Sequence, residues 1–342
     1  MPKLHNPHRG TGLPHLFDGT PIWPSVDAER VGKMLARCPD YAETDLVETT
    51  GIAADLGIQA VHLKYEGTRM GLGSFKALGA AYVIACDAAD GNAKGRTYIA
   101  ASAGNHGLSI AAGARIFGAN AVILLAETVP EGFADRLRNE GAQVVRAGSV
   151  YEESMAAAME MAEKNSWTLL SDSSWLGYTE IPHRLMEGYL QMAAEMAQQI
   201  PQPPTHIYLQ AGVGGLATAV AAYARRIWGD GPEITVVEPD RAPALLESAR
   251  AGKVVFADGP VSNMGRLDCK EPSLIALNGL ARDADWFVTV SDEEANKAVE
   301  TLADLNMSST PSGAAGVAAM LAADLPADAR VLCIVSETGE GV

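Results

Sequence analysis

After a polar, Pro-containing start to about residue 28, short apolar runs alternate along the chain with longer Ala-rich segments whose apolar positions recur at helical spacing. The runs predict strands at Ala60–Leu63, Thr97–Ala101, Ala121–Leu125, Gln143–Val145, Thr168–Ser171, His206–Gln210, Ile234–Val237, Trp286–Val290 and Val331–Val335. Between most of them the spacing predicts helices, including Phe75–Ala88, His106–Phe117, Tyr151–Glu163, Pro182–Gln198, Gly215–Trp228, Asp292–Asp304 and Ser312–Ala323. Strands and helices in alternation imply an α/β fold whose parallel sheets are covered on both faces. The Pro-rich turn Pro201–Pro204 precedes one strand, but the alternation continues on both sides of it, so any domain division follows from topology rather than from a linker.

Composition narrows the function classes. The chain has 342 residues, 48% hydrophobic and 20% charged, which excludes a disordered chain, a collagen-like repeat and a small disulfide scaffold. With 26 basic and 42 acidic residues the formal net charge is −16, so nucleic acid and anionic membranes are poor partners. Cys38, Cys86, Cys269 and Cys333 are widely separated and lack metal-ligand spacing, as expected of reduced thiols in a cytoplasmic protein without a metal site. The start carries no apolar leader, and no apolar stretch approaches the roughly 20 residues that span a bilayer.

Three strand-to-helix junctions carry candidate chemistry. In Tyr208–Ala217 (YLQAGVGGLA), glycines let backbone N–H groups converge at a helix N-terminus, which makes a phosphate cradle. The same stretch, with Glu238 ending the next strand, also fits a dinucleotide site, so a nicotinamide cofactor stays open at this point. In Gly71–Gly79 (GLGSFKALG), Lys76 stands alone among apolar neighbours at the start of an Ala-rich helix. Desolvation there disfavours the ammonium and favours an amine able to form a Schiff base. Ala101–Gly107 (ASAGNHG) offers a hydroxyl, an amide and backbone N–H groups suited to a carboxylate or a ring hydroxyl, with Asn105 expected as the helix N-cap.

A reactive lysine, a phosphate cradle and a polar loop together suit a phosphorylated aldehyde. The order Ser74-Phe75-Lys76, Ser102–His106, Gly212–Gly215 and then a Ser/Thr-Gly segment at the end resembles the fold-type II pyridoxal-phosphate enzymes, the tryptophan synthase β/threonine dehydratase superfamily. Within it, the chain is most similar to the diaminopropionate ammonia-lyases. The matching stretches are Lys64–Tyr82 (KYEGTRMGLGSFKALGAAY), Asp172–Pro182 (DSSWLGYTEIP), Met186–Tyr189 (MEGY), Ile207–Gly214 (IYLQAGVG), Val237–Asp240 (VEPD), Met264–Pro272 (MGRLDCKEP) and Ser312–Ala314 (SGA). The resemblance covers nearly the whole chain, from about Leu63 to Gly339.

The resemblance implies that Lys76 holds pyridoxal phosphate as a Schiff base, that Gly212, Val213, Gly214 and Gly215 cradle its phosphate, and that Asn105 meets the ring hydroxyl. It implies Ser336, with Thr338 as second choice, at the pyridine nitrogen, and the loop Ser102, Ala103, Gly104, His106 and Gly107 for the carboxylate of a small amino-acid substrate. Lys76 or Asp172 would take the α-proton, and Asp172 beside Trp175 and Tyr178 is expected to have a raised pKa. Two α/β domains are implied: residues 1–77 with 179–342, and a smaller inserted unit, 78–178, with the cofactor in the cleft between them. A homodimer is implied as well. The implied reaction is β-elimination to a 2-oxo acid and ammonia.

The sequence also departs from the lyase pattern. Ala103 stands where those lyases carry an acidic residue, and the loop SAGNH is closer to threonine and serine dehydratases, so a serine/threonine or hydroxyaspartate dehydratase is the alternative. Thr310 and Pro311 stand where an acid commonly precedes the Ser-Gly-Ala segment. Readings from other classes are an NAD-dependent dehydrogenase and a non-catalytic ligand-binding protein. Cys269 reads as a structural thiol, and Arg69 as either a substrate contact or a surface partner of Glu66.

Overall fold

The computed structural model describes residues 2–339; Met1 and residues 340–342, assigned from the sequence to the larger domain, lie outside the described residues. Within them the strands are β1 (Lys3–His5), β2 (Leu46–Glu48), β3 (Ala60–Tyr65), β4 (Thr97–Ala101), β5 (Asn120–Leu125), β6 (Gln143–Arg146), β7 (Thr168–Leu169), β8 (His206–Gln210), β9 (Glu233–Pro239), β10 (Trp286–Val290) and β11 (Arg330–Val335). They form a seven-stranded sheet in the order β1-β10-β9-β8-β11-β3-β2 and a four-stranded sheet in the order β6-β5-β4-β7. All pairings are parallel except those of the two edge strands β1 and β2.

All nine predicted strands form, within a few residues of the expected ends. Strands β1 and β2 were not predicted: each has three residues, partly exposed, and an edge strand that short leaves no apolar run. Helices that the pattern did not single out form at Ala28–Leu35, Thr50–Leu56, Glu131–Asn139, Ala244–Ala251 and Leu274–Asp283.

The helix Lys76–Ala89 is buried over most of its length, against the helices Asn105–Phe117 and Glu180–Gln199. Its small residues set the spacing. A Cβ on Gly188 would come within 2.6 Å of the Leu78 carbonyl oxygen, so the two backbones touch directly there. The small side chains of this composition therefore bring helices together tightly enough to hold Lys76 at a fixed place.

A buried ionic network fixes the segment leading into that helix. Arg69, fully buried in the turn Glu66–Gly71, pairs with Glu66 at 2.7 Å and Glu195 at 2.6 Å, and Lys64 reaches Glu195 at 2.7 Å. Two cations thus face two carboxylates; Thr44 Oγ1 donates to Glu66 and accepts from Arg69, and the Ala42 carbonyl accepts from Arg69. Arg69 does pair with Glu66, but inside the protein rather than on its surface, and its hydrogen-bonding groups are turned to this network.

Candidate active site

The loops after β4, β8 and β11 and the start of the Lys76 helix meet at the C-terminal ends of parallel strands, where open α/β sheets place ligands. Lys76 is the first residue of its helix. The preceding residues are tied to the end of β11: the Phe75 N–H donates to the Ser336 carbonyl at 3.1 Å, and Ser74 forms a bridge with Glu337. The Phe75 ring packs edge-on against Tyr189, with centroids 4.9 Å apart.

Lys76 Nζ makes a short ion pair with Asp172 Oδ2, and both side chains are about a fifth exposed. Burial disfavours the Lys76 ammonium, but the Asp172 carboxylate outweighs it and holds the group charged, above the ordinary lysine range. The expectation of a neutral amine is therefore corrected for the protein without its cofactor. The partner was invisible in local sequence because it comes from 96 residues downstream. The raised pKa expected of Asp172 is corrected in the same way: burial pushes it up, but the Lys76 ammonium, by its charge and its hydrogen bond, draws it below the ordinary carboxylate range.

Asp172 sits in a braced turn after β7. Tyr178 donates to the Leu169 carbonyl at 2.8 Å and accepts from the Ser171 N–H at 3.1 Å, while Trp175 stacks on Tyr178 with centroids 4.4 Å apart. Ser174 Oγ lies 2.7 Å from Ser273 Oγ and accepts from the Ile275 N–H at 3.0 Å, which anchors the turn to the helix Leu274–Asp283. Sequence reasoning missed the Ser174–Ser273 pair, since serines 99 residues apart carry no local signal.

In the loop after β4, Ser102 Oγ accepts from the N–H groups of Gly104 and Gly107 and closes the turn. Gly104 takes the cap position and Asn105 the first helical one, correcting the expected Asn105 cap. The Asn105 amide donates instead to the Glu337 carboxylate. Ala103 adds only a methyl group beside these donors. His106 Nε2 lies 2.8 Å from the Leu170 carbonyl, and burial lowers its pKa, so the ring is neutral and turned toward the protein rather than the loop mouth.

After β8, Gly214 adopts φ +100°, and a Cβ there would lie 2.9 Å from Ala276 Cβ. A Cβ on Gly212 would meet Cys269 Sγ at 3.0 Å and the Arg266 carbonyl at 3.1 Å. Backbone therefore lines the turn, and the N–H groups of Val213 to Gly215 lead into the first turn of the helix Gly215–Trp228. Cys269 packs beneath it, its thiol pushed up to about 12 mainly by burial, as suits a structural cysteine. Glu238 does not face this turn: it is fully buried and accepts from the Leu245 and Leu246 N–H groups at 2.7 and 2.8 Å. It serves the helix Ala244–Ala251, which removes the ribose-binding acid that the dinucleotide reading needs.

The structure thus brings together Lys76, Asp172, Asn105, the Ser102–Gly107 loop, Gly212–Gly215 and Ser336. The Ser74 hydroxyl, two residues before Lys76, is buried without a hydrogen-bond partner. A lysine, a backbone cradle that a Cβ on Gly212 or Gly214 would fill and a buried hydroxyl awaiting a partner fit pyridoxal phosphate. Residues 38–337 match the family described as pyridoxal-phosphate dependent enzyme. The chain belongs to that family.

A diaminopropionate ammonia-lyase from Salmonella typhimurium is 31% identical, over 82% of this chain and 78% of its own. An L-threonine ammonia-lyase from Thermotoga maritima is 28% identical, over 76% of this chain and 62% of its own. Among solved structures, diaminopropionate ammonia-lyase from Escherichia coli, in complex with an aminoacrylate-PLP azomethine reaction intermediate, aligns at a TM-score of 0.88 and 27% identity, covering 98% of this chain and 93% of that one. This pyridoxal-phosphate dependent enzyme therefore has the fold-type II architecture, and pyridoxal phosphate is its cofactor.

Among the described residues no helix is long and apolar enough to cross a membrane, and no group of three or more His, Cys, Asp or Glu side chains is placed to hold a metal. Glu337 is the buried acid that sequence reasoning missed. It stands between the two hydroxyl residues, Ser336 and Thr338, that drew attention in Val335–Gly339.

Proposed function

We propose that this pyridoxal-phosphate dependent ammonia-lyase acts on a small β-substituted amino acid, 2,3-diaminopropionate or a close relative, and releases ammonia and a 2-oxo acid by α,β-elimination. The observation that carries the reading is the Lys76–Asp172 pair beside the Gly212–Gly215 cradle. Pyridoxal phosphate, when bound, supplies the electron sink that makes the substrate's α-proton removable. Lys76 Nζ would be its attachment point, the backbone N–H groups of Gly212, Val213, Gly214 and Gly215 would hold its phosphate, Asn105 would face its ring oxygen and Ser336 its ring nitrogen.

The protein's own groups then divide the proton work. Asp172 stays ionised mainly because Lys76 is charged beside it, while burial acts in the opposite direction. Whenever the lysine loses that charge, burial prevails and Asp172 Oδ2 becomes a stronger base at the cleft wall. Lys76 Nζ and Asp172 Oδ2 are thus the two places where the α-proton can be held, and the same pair can return a proton to the departing amine. The Ser102–Gly107 loop would take the substrate carboxylate through the N–H groups of Ala103, Asn105 and His106, since those of Ser102, Gly104 and Gly107 already donate to the Leu124 carbonyl and Ser102 Oγ. The enamine product hydrolyses in water to the 2-oxo acid and ammonia.

We further assign residues 78–178 to a unit that closes on the substrate to exclude water. The working form would be a homodimer, which light scattering on the purified protein checks, and its place the cytoplasm. A second reading, a serine/threonine or hydroxyaspartate dehydratase, is favoured by Ala103, which leaves the loop without a carboxylate of its own. A panel of D- and L-2,3-diaminopropionate, serine, threonine and hydroxyaspartate, scored for ammonia and 2-oxo acid, decides between them. Preference for diaminopropionate supports the first reading; release from the hydroxy amino acids alone replaces it with the second, and a stable cofactor with no product from any amino acid would mark an idle scaffold.

A further inference from the structure

Glu337 is 3% exposed, just past the end of β11, and its carboxylate collects donors from three separate segments of the chain. It accepts from Asn105 Nδ2 at the start of the helix after β4 and from Thr310 Oγ1, which also caps the helix Pro311–Leu321. It pairs with Arg266 through Nε at 3.2 Å, and the Arg266 backbone N–H donates to Ser312 Oγ at 3.1 Å. The sequence lacks an acid before the Ser-Gly-Ala segment, yet the fold brings a carboxylate to Thr310 from 27 residues downstream.

An asparagine amide has two ends of similar shape and opposite hydrogen-bonding character. A carboxylate only accepts, so contact with Glu337 selects the orientation in which the Asn105 nitrogen, not its oxygen, faces the acid. That nitrogen carries a second N–H for another acceptor. We propose that Glu337 is a positioning residue that locks Asn105 as a donor toward the ring oxygen of pyridoxal phosphate. The inference rests on the reading of Asn105 given above. Gln at 337 donates as well as accepts, so it permits either amide orientation and removes the selection.

The test is a double-mutant cycle on the full-length protein with Asn105→Ala, Glu337→Gln and the pair, reading the Kd of pyridoxal phosphate by fluorescence quenching and the pH profile of the visible band of the holoenzyme. Each single change is expected to weaken cofactor binding about tenfold, the scale of one hydrogen bond to a charged group, and to shift the band's pH profile. The double variant should bind no more weakly than Asn105→Ala alone. Losses that add, or a Glu337→Gln protein within twofold of the parent in Kd with an unmoved profile, overturn the role of Glu337 alone. An Asn105→Ala protein with unchanged Kd and profile overturns the reading of Asn105 and this inference with it. If Glu337→Gln fails to fold by circular dichroism, Glu337→Asp, whose carboxylate is withdrawn by one methylene, must show the same shift in part; an unmoved profile there also refutes the inference.

Discussion

Lys76 and Asp172 form one unit whose charge state neither residue reveals alone. The lysine was legible because it stands without a nearby acid in a helix of small apolar residues. Its protonation was not, because the decisive carboxylate arrives through tertiary structure. Replacing Lys76 with Ala should abolish turnover and leave Asp172 beside His106 without the ammonium, so its carboxyl should titrate above its position in the parent protein. Carbon-13 NMR of the labelled side chain in the cofactor-free protein checks this; an unmoved titration would show that Lys76 does not set the Asp172 charge. Asp172→Asn should lower kcat/KM for L-substrates by about a hundredfold or more, the range for loss of a general base, with cofactor absorbance retained. Full activity in that variant would assign the proton transfer to Lys76 alone.

At the level of elements, the glycine turn after β8 was legible from its spacing, since only backbone can line a turn this close to its neighbours. What the sequence left open was which ligand it serves, and Glu238 resolved that by turning to the helix Ala244–Ala251 instead. Gly214→Ala places a side chain at φ +100° against Ala276, and the strain should cost about 1–3 kcal/mol in urea unfolding together with cofactor affinity. Glu238 gives the fold a pH dependence. Burial is the largest influence and raises its carboxyl from 4.5 to about 8, against the two N–H bonds that it accepts. Between those values the folded protein keeps a proton that the unfolded chain has lost, so this contribution is complete below about pH 4.5 and fades as pH rises through about 8. Melting temperatures across that range should therefore fall less with rising pH in Glu238→Gln than in the parent. Equal slopes would show that the buried acid is ionised throughout.

For the whole molecule, alternation of strand and helix was enough to give parallel sheets. Membership of one sheet or the other was set by pairings between residues far apart, such as β3 beside β11. The Arg69 network was equally hidden, because Lys64, Glu66 and Glu195 meet only after the chain has crossed between sheets. Arg69→Met should destabilise the protein by about 3–5 kcal/mol, since it leaves two buried carboxylates facing one lysine. Denaturant unfolding measures the loss, and a change under about 1 kcal/mol would place the network nearer to solvent than its burial implies. All of these parts converge on one claim, that the fold exists to present Lys76 to pyridoxal phosphate. Borohydride reduction of the purified protein, followed by peptide mass spectrometry, tests it most directly. The expected result is loss of the visible band and a single phosphopyridoxyl group on Lys76; reduction that labels another lysine, or none, would contradict that role of Lys76.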